Sequence, residues 1–179
     1  MIRYAAFFGS INVGGSNRLL MTELREALER EEFEDVETVV ASGNVLFSHD
    51  ERPSDGLSEK LAYVLRDRFG IDTFAAVRSR AEVTAAIADN PFNGQGEDKF
   101  VHTHFLDGQP TQAQFDKLVA DHAGRGHETL ALGDRALYVD YVDGAGNSKL
   151  TGAFIERRLG CRGTARNMRS LQRILDKMD

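Results

Sequence analysis

After residues 90–98 the order of this chain begins again. Ahead of that stretch, which holds Pro91, Gly94 and Gly96 among charged residues, seven segments alternate in period. Residues 3–8 form an apolar run of strand length. Leu20, Leu24 and Leu28 recur at helical spacing, with Met21 and Ala27 beside them, and Ser16 or Asn17 is placed to cap that helix. Residues 36–40 and 45–47 are β-rich runs separated by Ser42-Gly43-Asn44, which reads as a tight hairpin connection. Leu57, Leu61, Leu65 and Phe69 share one face of a second helix that Gly70 ends. Residues 73–77 add a strand, and Ser79 with Glu82 forms a capping box for a short helix carrying Val83 and Ile87.

The same series follows the boundary. Residues 100–106 are a strand, and Thr111 and Gln114 open a helix with Phe115, Leu118 and Val119 inward. Residues 127–132 and 135–141 flank the hairpin signal Gly133-Asp134. Residues 149–159 read as a helix stopped by Gly160, and Thr164 as the cap of a last helix with Met168, Leu171, Leu175 and Met178 on one side. Each half therefore reads β-α-β-β-α, with an extra strand and helix after the first and an extra helix after the second. Strands joined by short turns, with helices on one face, predict an α+β fold of two ferredoxin-like halves with mostly antiparallel sheets. The halves are residues 1–92 and 93–179, the second with an extra C-terminal helix, together forming one compact domain. No residue-level repeat accompanies the repeated order.

A chain of 179 residues buries enough surface to fold without a staple, and its single cysteine, Cys161, excludes an internal disulfide. No apolar run reaches membrane-spanning length, and the N-terminal run is too short for a signal peptide, so a cytoplasmic, non-membrane protein is expected. The net charge of −6 opposes general nucleic-acid affinity. That charge is uneven: residues 149–177 carry +6 and the rest of the chain −12. The basic segment is either a solvated helical face or a local anion site.

The run Gly9-Ser10-Ile11-Asn12-Val13-Gly14-Gly15-Ser16 nearly spells a phosphate-binding loop, but Gly15 stands where the motif needs lysine, which speaks against a nucleotide triphosphatase. A glycine-rich strand-to-helix turn still aims backbone N–H groups at an anion. The alternative is that Gly14 and Gly15 only shape the turn while Asn12 and Asn17 hydrogen-bond it.

Ile11-Asn12-Val13-Gly14-Gly15, Asn17, Met21, Leu24-Arg25, Leu28, Phe33, Val36, Thr38, Ser42-Gly43-Asn44-Val45 and Phe47 resemble the bacterial family of unknown function known as DUF1697. In the second half Asn90-Pro91-Phe92, Phe105-Leu106, Ser148-Lys149, Glu156, Leu159-Gly160, Thr164 and Arg166-Asn167 agree with it. The family's Arg-Gly before Ile-Asn is Gly9-Ser10 here, and its tryptophan after Arg-Asn is Met168. The first departure removes a cation beside the glycine turn, which either weakens an anion site there or shifts the charge to Arg18 or Arg166. The resemblance implies a duplicated ferredoxin-like fold and no particular activity.

Element ends supply the candidate ligand residues: Asn12, Gly14, Gly15, Asn17, Ser42, Gly43, Asn44, Lys149, Arg166 and Asn167. A guanidinium, an ammonium and helix N–H groups are what a phosphate or carboxylate needs. The alternative for Arg166 is a structural ion pair, with Glu156 as partner. His102 and His104 share one strand face without a cysteine or clustered carboxylate, so no metal site and no cofactor are assigned. His49, His122 and His127 lie in polar stretches and read as surface residues. No catalytic residue is assigned. The leading expectation is a small anionic ligand. The rivals are an enzyme on a phosphorylated metabolite, with Lys149 or Glu156 carrying a proton, and a nucleic-acid accessory using the basic C-terminal helix.

Overall fold

A continuous apolar run, buried from Tyr4 to Phe8, makes the first strand, β1 (Ile2–Phe8), the centre of a sheet. In this computed structural model, which describes residues 1–9, 20–40 and 43–179, β1 lies between β3 (Asn44–His49) and β4 (Ala75–Ser79), both antiparallel to it. The strand β2 (Glu34–Thr38) flanks β3, giving the order β2-β3-β1-β4. Tyr4, Ala6, Phe8, Val45, Phe47, Ala75 and Val77 face α1 (Met21–Glu29) and α2 (Ser54–Phe69), where Leu24, Leu28, Leu57, Leu61 and Leu65 close the core. Each valine, leucine or phenylalanine among them contributes about 1.5–3 kcal/mol on burial. Phe33 packs edge-on against Phe47 at 4.8 Å. Gly43 adopts φ +91° at the β2–β3 connection, where a β-carbon would be strained, and Gly70 ends α2 at φ +65°.

The helix α3 (Arg80–Asp89) follows β4 directly, with the expected capping box: Glu82 N donates to Ser79 Oγ at 3.2 Å and Ser79 N to Glu82 Oε1 at 2.9 Å. The second sheet is built from β5 (Val101–Leu106), β6 (Thr129–Gly133), β7 (Ala136–Asp140) and β8 (Gly163–Asn167), all antiparallel, in the order β6-β7-β5-β8. Leu106, Leu137, Val139 and Tyr141 pack on α4 (Gln112–His122) and α5 (Gly152–Leu159) through Leu118, Ile155 and Leu159. The last helix, α6 (Met168–Lys177), buries Met168, Leu171 and Ile174 and exposes Arg169, Arg173 and Lys177. The chain divides into two compact units, Met1–Val83 with Arg173–Asp179, and Thr84–Gln172.

Both sheets thus follow one path, β-α-β-β-α-β, with the first-numbered strand of each central and the fourth at an edge. The correspondence extends to single residues. Ala5 opposes Arg78 as Thr103 opposes Arg166, and Phe7 opposes Ala76 as Phe105 opposes Thr164. Phe8 N donates to Gly43 O at 2.9 Å as Leu106 N donates to Arg135 O at 3.0 Å. Gly9 N donates to Phe74 O at 3.0 Å as Asp107 N donates to Arg162 O at 2.9 Å. The repeat invisible in the residue types is explicit in the hydrogen-bond register.

Several expectations need correction. Residues 163–167 are strand β8 and not the start of a helix, because the backbone there completes the second sheet. The helix expected from residue 149 begins at Gly152, capped by Thr151, whose Oγ1 accepts from Phe154 N at 3.2 Å. Val119 is exposed on α4, and Ile174 takes the buried place expected of Leu175, which is half-buried. His49 and His122 are 1% and 4% exposed, whereas His127 is exposed. Their polar neighbours in sequence do not share their direction: the His49 ring meets Phe33 and the His122 ring meets Phe154.

Candidate functional site

Asn12, Gly14, Gly15, Asn17 and Ser42 lie outside the described residues, as does Arg18. Gly43 and Asn44 belong to the first unit. Gly43 O receives Phe8 N, and buried Asn44 opposes Phe7, with its carbonyl accepting from Val39 N at 3.1 Å. Lys149, Arg166 and Asn167 belong to the second unit. Lys149 is exposed ahead of α5, and Glu156 is exposed on it. Asn167 serves the fold: its Oδ1 accepts from Ser170 N at 2.8 Å and caps α6.

Arg166 is the second-to-last residue of β8, so it points to the opposite face from Asn167. That face is the one turned away from α4 and α5. The side chain is half-buried, and its Nη1 donates to Thr164 Oγ1 at 2.7 Å and to Ala165 O at 2.9 Å. Burial pushes the guanidinium down to about 10, because the charged form loses water. Directly across the β5–β8 ladder stands Thr103, fully buried on the same face. Among the described residues its hydroxyl has no hydrogen-bond partner. Side chains so opposed have β-carbons roughly 5 Å apart. A buried hydroxyl without a partner costs about 1–3 kcal/mol, and native folds carry few of them. Thr103 was missed in the sequence because a lone threonine between two histidines reads as ordinary strand.

In the first unit the matching arginine, Arg78, is buried at 4% exposure and donates Nη1 to Val77 O at 2.8 Å. The hydroxyls do not recur around it: alanines Ala5 and Ala76 stand where Thr103 and Thr164 stand in the second unit.

A second polar cluster joins α4 to the loops before β6 and α5. Glu128 accepts from Ser148 Oγ through Oε1 at 2.6 Å and contacts His122 Nε2 through Oε2 at 3.1 Å. Burial pushes the Glu128 carboxyl up, but the hydrogen bonds from Ser148 and its own backbone, with His122 alongside, outweigh this and leave it below the usual value. Ser148 Oγ also accepts from Leu150 N at 3.0 Å. The serine is therefore engaged with the carboxylate and the backbone, and this arrangement fastens loops. His104 Nε2 meets the Tyr141 hydroxyl at 2.9 Å, and burial with the charge of His102 pushes its imidazole down to about 3. His104 is thus neutral at pH 7. Burial, with the charges of Asp107 and Glu156, pushes the Cys161 thiol up to about 11, so it is not a thiolate near neutrality. Among the described residues no helix is long and apolar enough to cross a membrane, and no three His, Cys, Asp or Glu residues gather to hold a metal.

The model of the family described as "Protein of unknown function (DUF1697)" matches residues 1–138. The chain belongs to that family. Among solved structures it is similar to "conserved bacterial protein SP0830" from Streptococcus pneumoniae, at 22% identity and a TM-score of 0.70, over 99% of each chain. That likeness shows a shared fold across the whole length. No curated protein matches the chain.

Proposed function

We propose that this member of the DUF1697 family binds a small anionic ligand bearing a phosphate or carboxylate, through Arg166 and Thr103 of its second unit. Each unit is read as ferredoxin-like, with the ligand on the sheet face turned away from the helices. The reading rests on one observation: a partly buried guanidinium stands directly across the ladder from a buried hydroxyl that has no partner. An anion there accepts the hydroxyl proton and gains a charge-assisted contact with the guanidinium. Lys149 and Glu156 are both exposed, which gives no observation in favour of acid–base chemistry at this site.

A thermal-shift screen with inorganic phosphate, sugar phosphates, nucleotides and carboxylates tests the proposal. A ligand bound only by the native state at 100 times its Kd adds about 2.7 kcal/mol. For a chain of this size that raises the Tm by roughly 5–10 °C. The expected result is a shift that Arg166→Ala abolishes. No shift with any anion, or one that survives in Arg166→Ala, overturns the reading. Steep loss of nucleic-acid binding with added salt would favour the basic C-terminal segment as an accessory surface instead.

A further inference from the structure

The two units treat their corresponding edge strands differently. In the first, β2 carries Glu34, Asp35 and Glu37, and its pairing with β3 shifts register between Glu34 and Glu37. Asp35 sits at φ +48°. Arginine side chains occupy its carbonyls: Arg3 Nη1 donates to Asp35 O at 2.8 Å and Arg25 Nε to Val36 O at 3.1 Å. Charge, irregularity and occupied backbone groups are how proteins prevent a sheet from growing at its edge.

The corresponding strand of the second unit, β6, has none of these. It reads Thr-Leu-Ala-Leu-Gly, carries no charge, and pairs with β7 in unbroken register from Thr129–Asp140 to Gly133–Ala136. Asp134 and Arg135 form a two-residue turn, so the flanking pair Gly133–Ala136 exchanges both hydrogen bonds. Alternation then directs the backbone groups of Thr129, Ala131 and Gly133 to β7. Leu130 and Leu132 turn their N–H and C=O groups to the open edge. Gly133 O additionally receives Gln109 Nε2 at 3.3 Å, but among the described residues Leu130 and Leu132 have no hydrogen-bond partner beyond the sheet.

We infer that β6 is a self-association edge and that its occupant is the β6 strand of a second copy of this chain, paired antiparallel about Ala131. The strand is self-complementary in that register. With the twofold axis at Ala131, Leu130 of one copy faces Leu132 of the other, and the converse, so four N–H···O bonds form from the groups now unpaired. Ala131 then faces its own counterpart in a non-hydrogen-bonded pair, where backbones come closest, and a small side chain fits there. An uncharged strand within a chain of net charge −6 excludes charge complementarity as the basis for recruiting a different partner. A five-residue edge buries less than the roughly 1,200 Å² of a standard stable interface, so the dimer is weak and concentration-dependent.

Sedimentation velocity from roughly 10 µM to 1 mM, the span of weak complexes, tests this. The expected result is a rise towards twice the monomer mass. Ala131→Lys and Ala131→Glu each place like charges face to face and should hold the protein monomeric, while an equimolar mixture of the two should regain the dimer mass. A wild type that stays monomeric throughout overturns the inference, as does self-association that neither charge alters. Should either variant fail to fold, amide exchange of the wild type decides. The Leu130 and Leu132 amides must become more protected as concentration rises, and unchanged protection overturns the inference.

Discussion

Arg78 and Arg166 hold the same position in two sheets: each is the second-to-last residue of a fourth strand, and each donates Nη1 to the carbonyl of the residue before it. What differs is the setting. Ala5 and Ala76 flank Arg78, which is nearly inaccessible, whereas Thr103 and Thr164 flank the half-buried Arg166. Equivalent positions in the two sheets thus place the two arginines in different surroundings.

The two alanine variants should therefore behave oppositely. Arg78→Ala removes a fully packed stem and leaves a carbonyl unpaired, a loss of about 2–4 kcal/mol. Arg166→Ala removes a half-buried side chain whose acceptors, Thr164 Oγ1 and Ala165 O, lie on partly exposed residues, so it should cost less than Arg78→Ala while abolishing the response to anions. Urea unfolding of both variants, with and without phosphate, measures this. Equal destabilisation by the two would mean that both arginines serve only the fold.

His104 sets part of the acid sensitivity. Its folded pKa is pushed down to about 3, against 6.5 for an ordinary imidazole. Between those values the unfolded chain binds a proton that the native state refuses. The contribution is therefore complete above pH 6.5 and falls as pH drops towards 3. From pH 7 to pH 5 the loss is about 2 kcal/mol. His104→Gln keeps a hydrogen-bonding group opposite Tyr141 and removes the titration, so its urea midpoint should fall less over this range. A wild-type drop no larger than that of the variant would count against the assignment.

Most of the fold was legible because hydrophobic period dominates where one face is buried. Leu57, Leu61 and Leu65 fixed α2, and the glycines after α2 and α5 marked real left-handed caps. The strand β8 was not legible. Gly163-Thr164-Ala165-Arg166-Asn167 has no apolar alternation, since it is an edge strand whose face is made of threonine and arginine. Arg166 is half-buried while Arg169, Arg173 and Lys177 are exposed, and a sheet face, not a helix N-terminus, produces the contrast. Buried His49 and His122 were illegible for a related reason: tertiary packing, not neighbouring residues, decides where a ring goes.

The two helix-ending glycines should rank in a definite order. Gly70 has φ +65° and open space around an added β-carbon, so Gly70→Ala costs about 1 kcal/mol of backbone strain. Gly160 has φ +72°, and its β-carbon would lie 3.0 Å from Gln114 Nε2. That amide is pinned, because Gln114 Oε1 accepts from Thr111 N at 2.8 Å in the capping box of α4. Gly160→Ala thus adds disruption of a cap and should cost more than Gly70→Ala by roughly a further 1 kcal/mol. Thermal denaturation of both variants tests the ranking.

Thr103 offers the sharpest separation between fold and function. Its hydroxyl is buried without a partner, so in the absence of ligand it weakens the native state. Valine has nearly the same shape and no oxygen. Thr103→Val should therefore stabilise the ligand-free protein, by about 1 kcal/mol or somewhat more, since the unmet polar group disappears without leaving a cavity. The same variant should lose the thermal shift produced by an anion, because Arg166 alone then holds it. Stabilising substitutions that cost function are expected where a site keeps an unsatisfied group for its ligand. Thr103→Ser, which keeps the hydroxyl but drops a methyl, should do the reverse: lower stability, retained anion response. If Thr103→Val instead destabilises the protein, the hydroxyl has a structural partner and the anion site loses its floor.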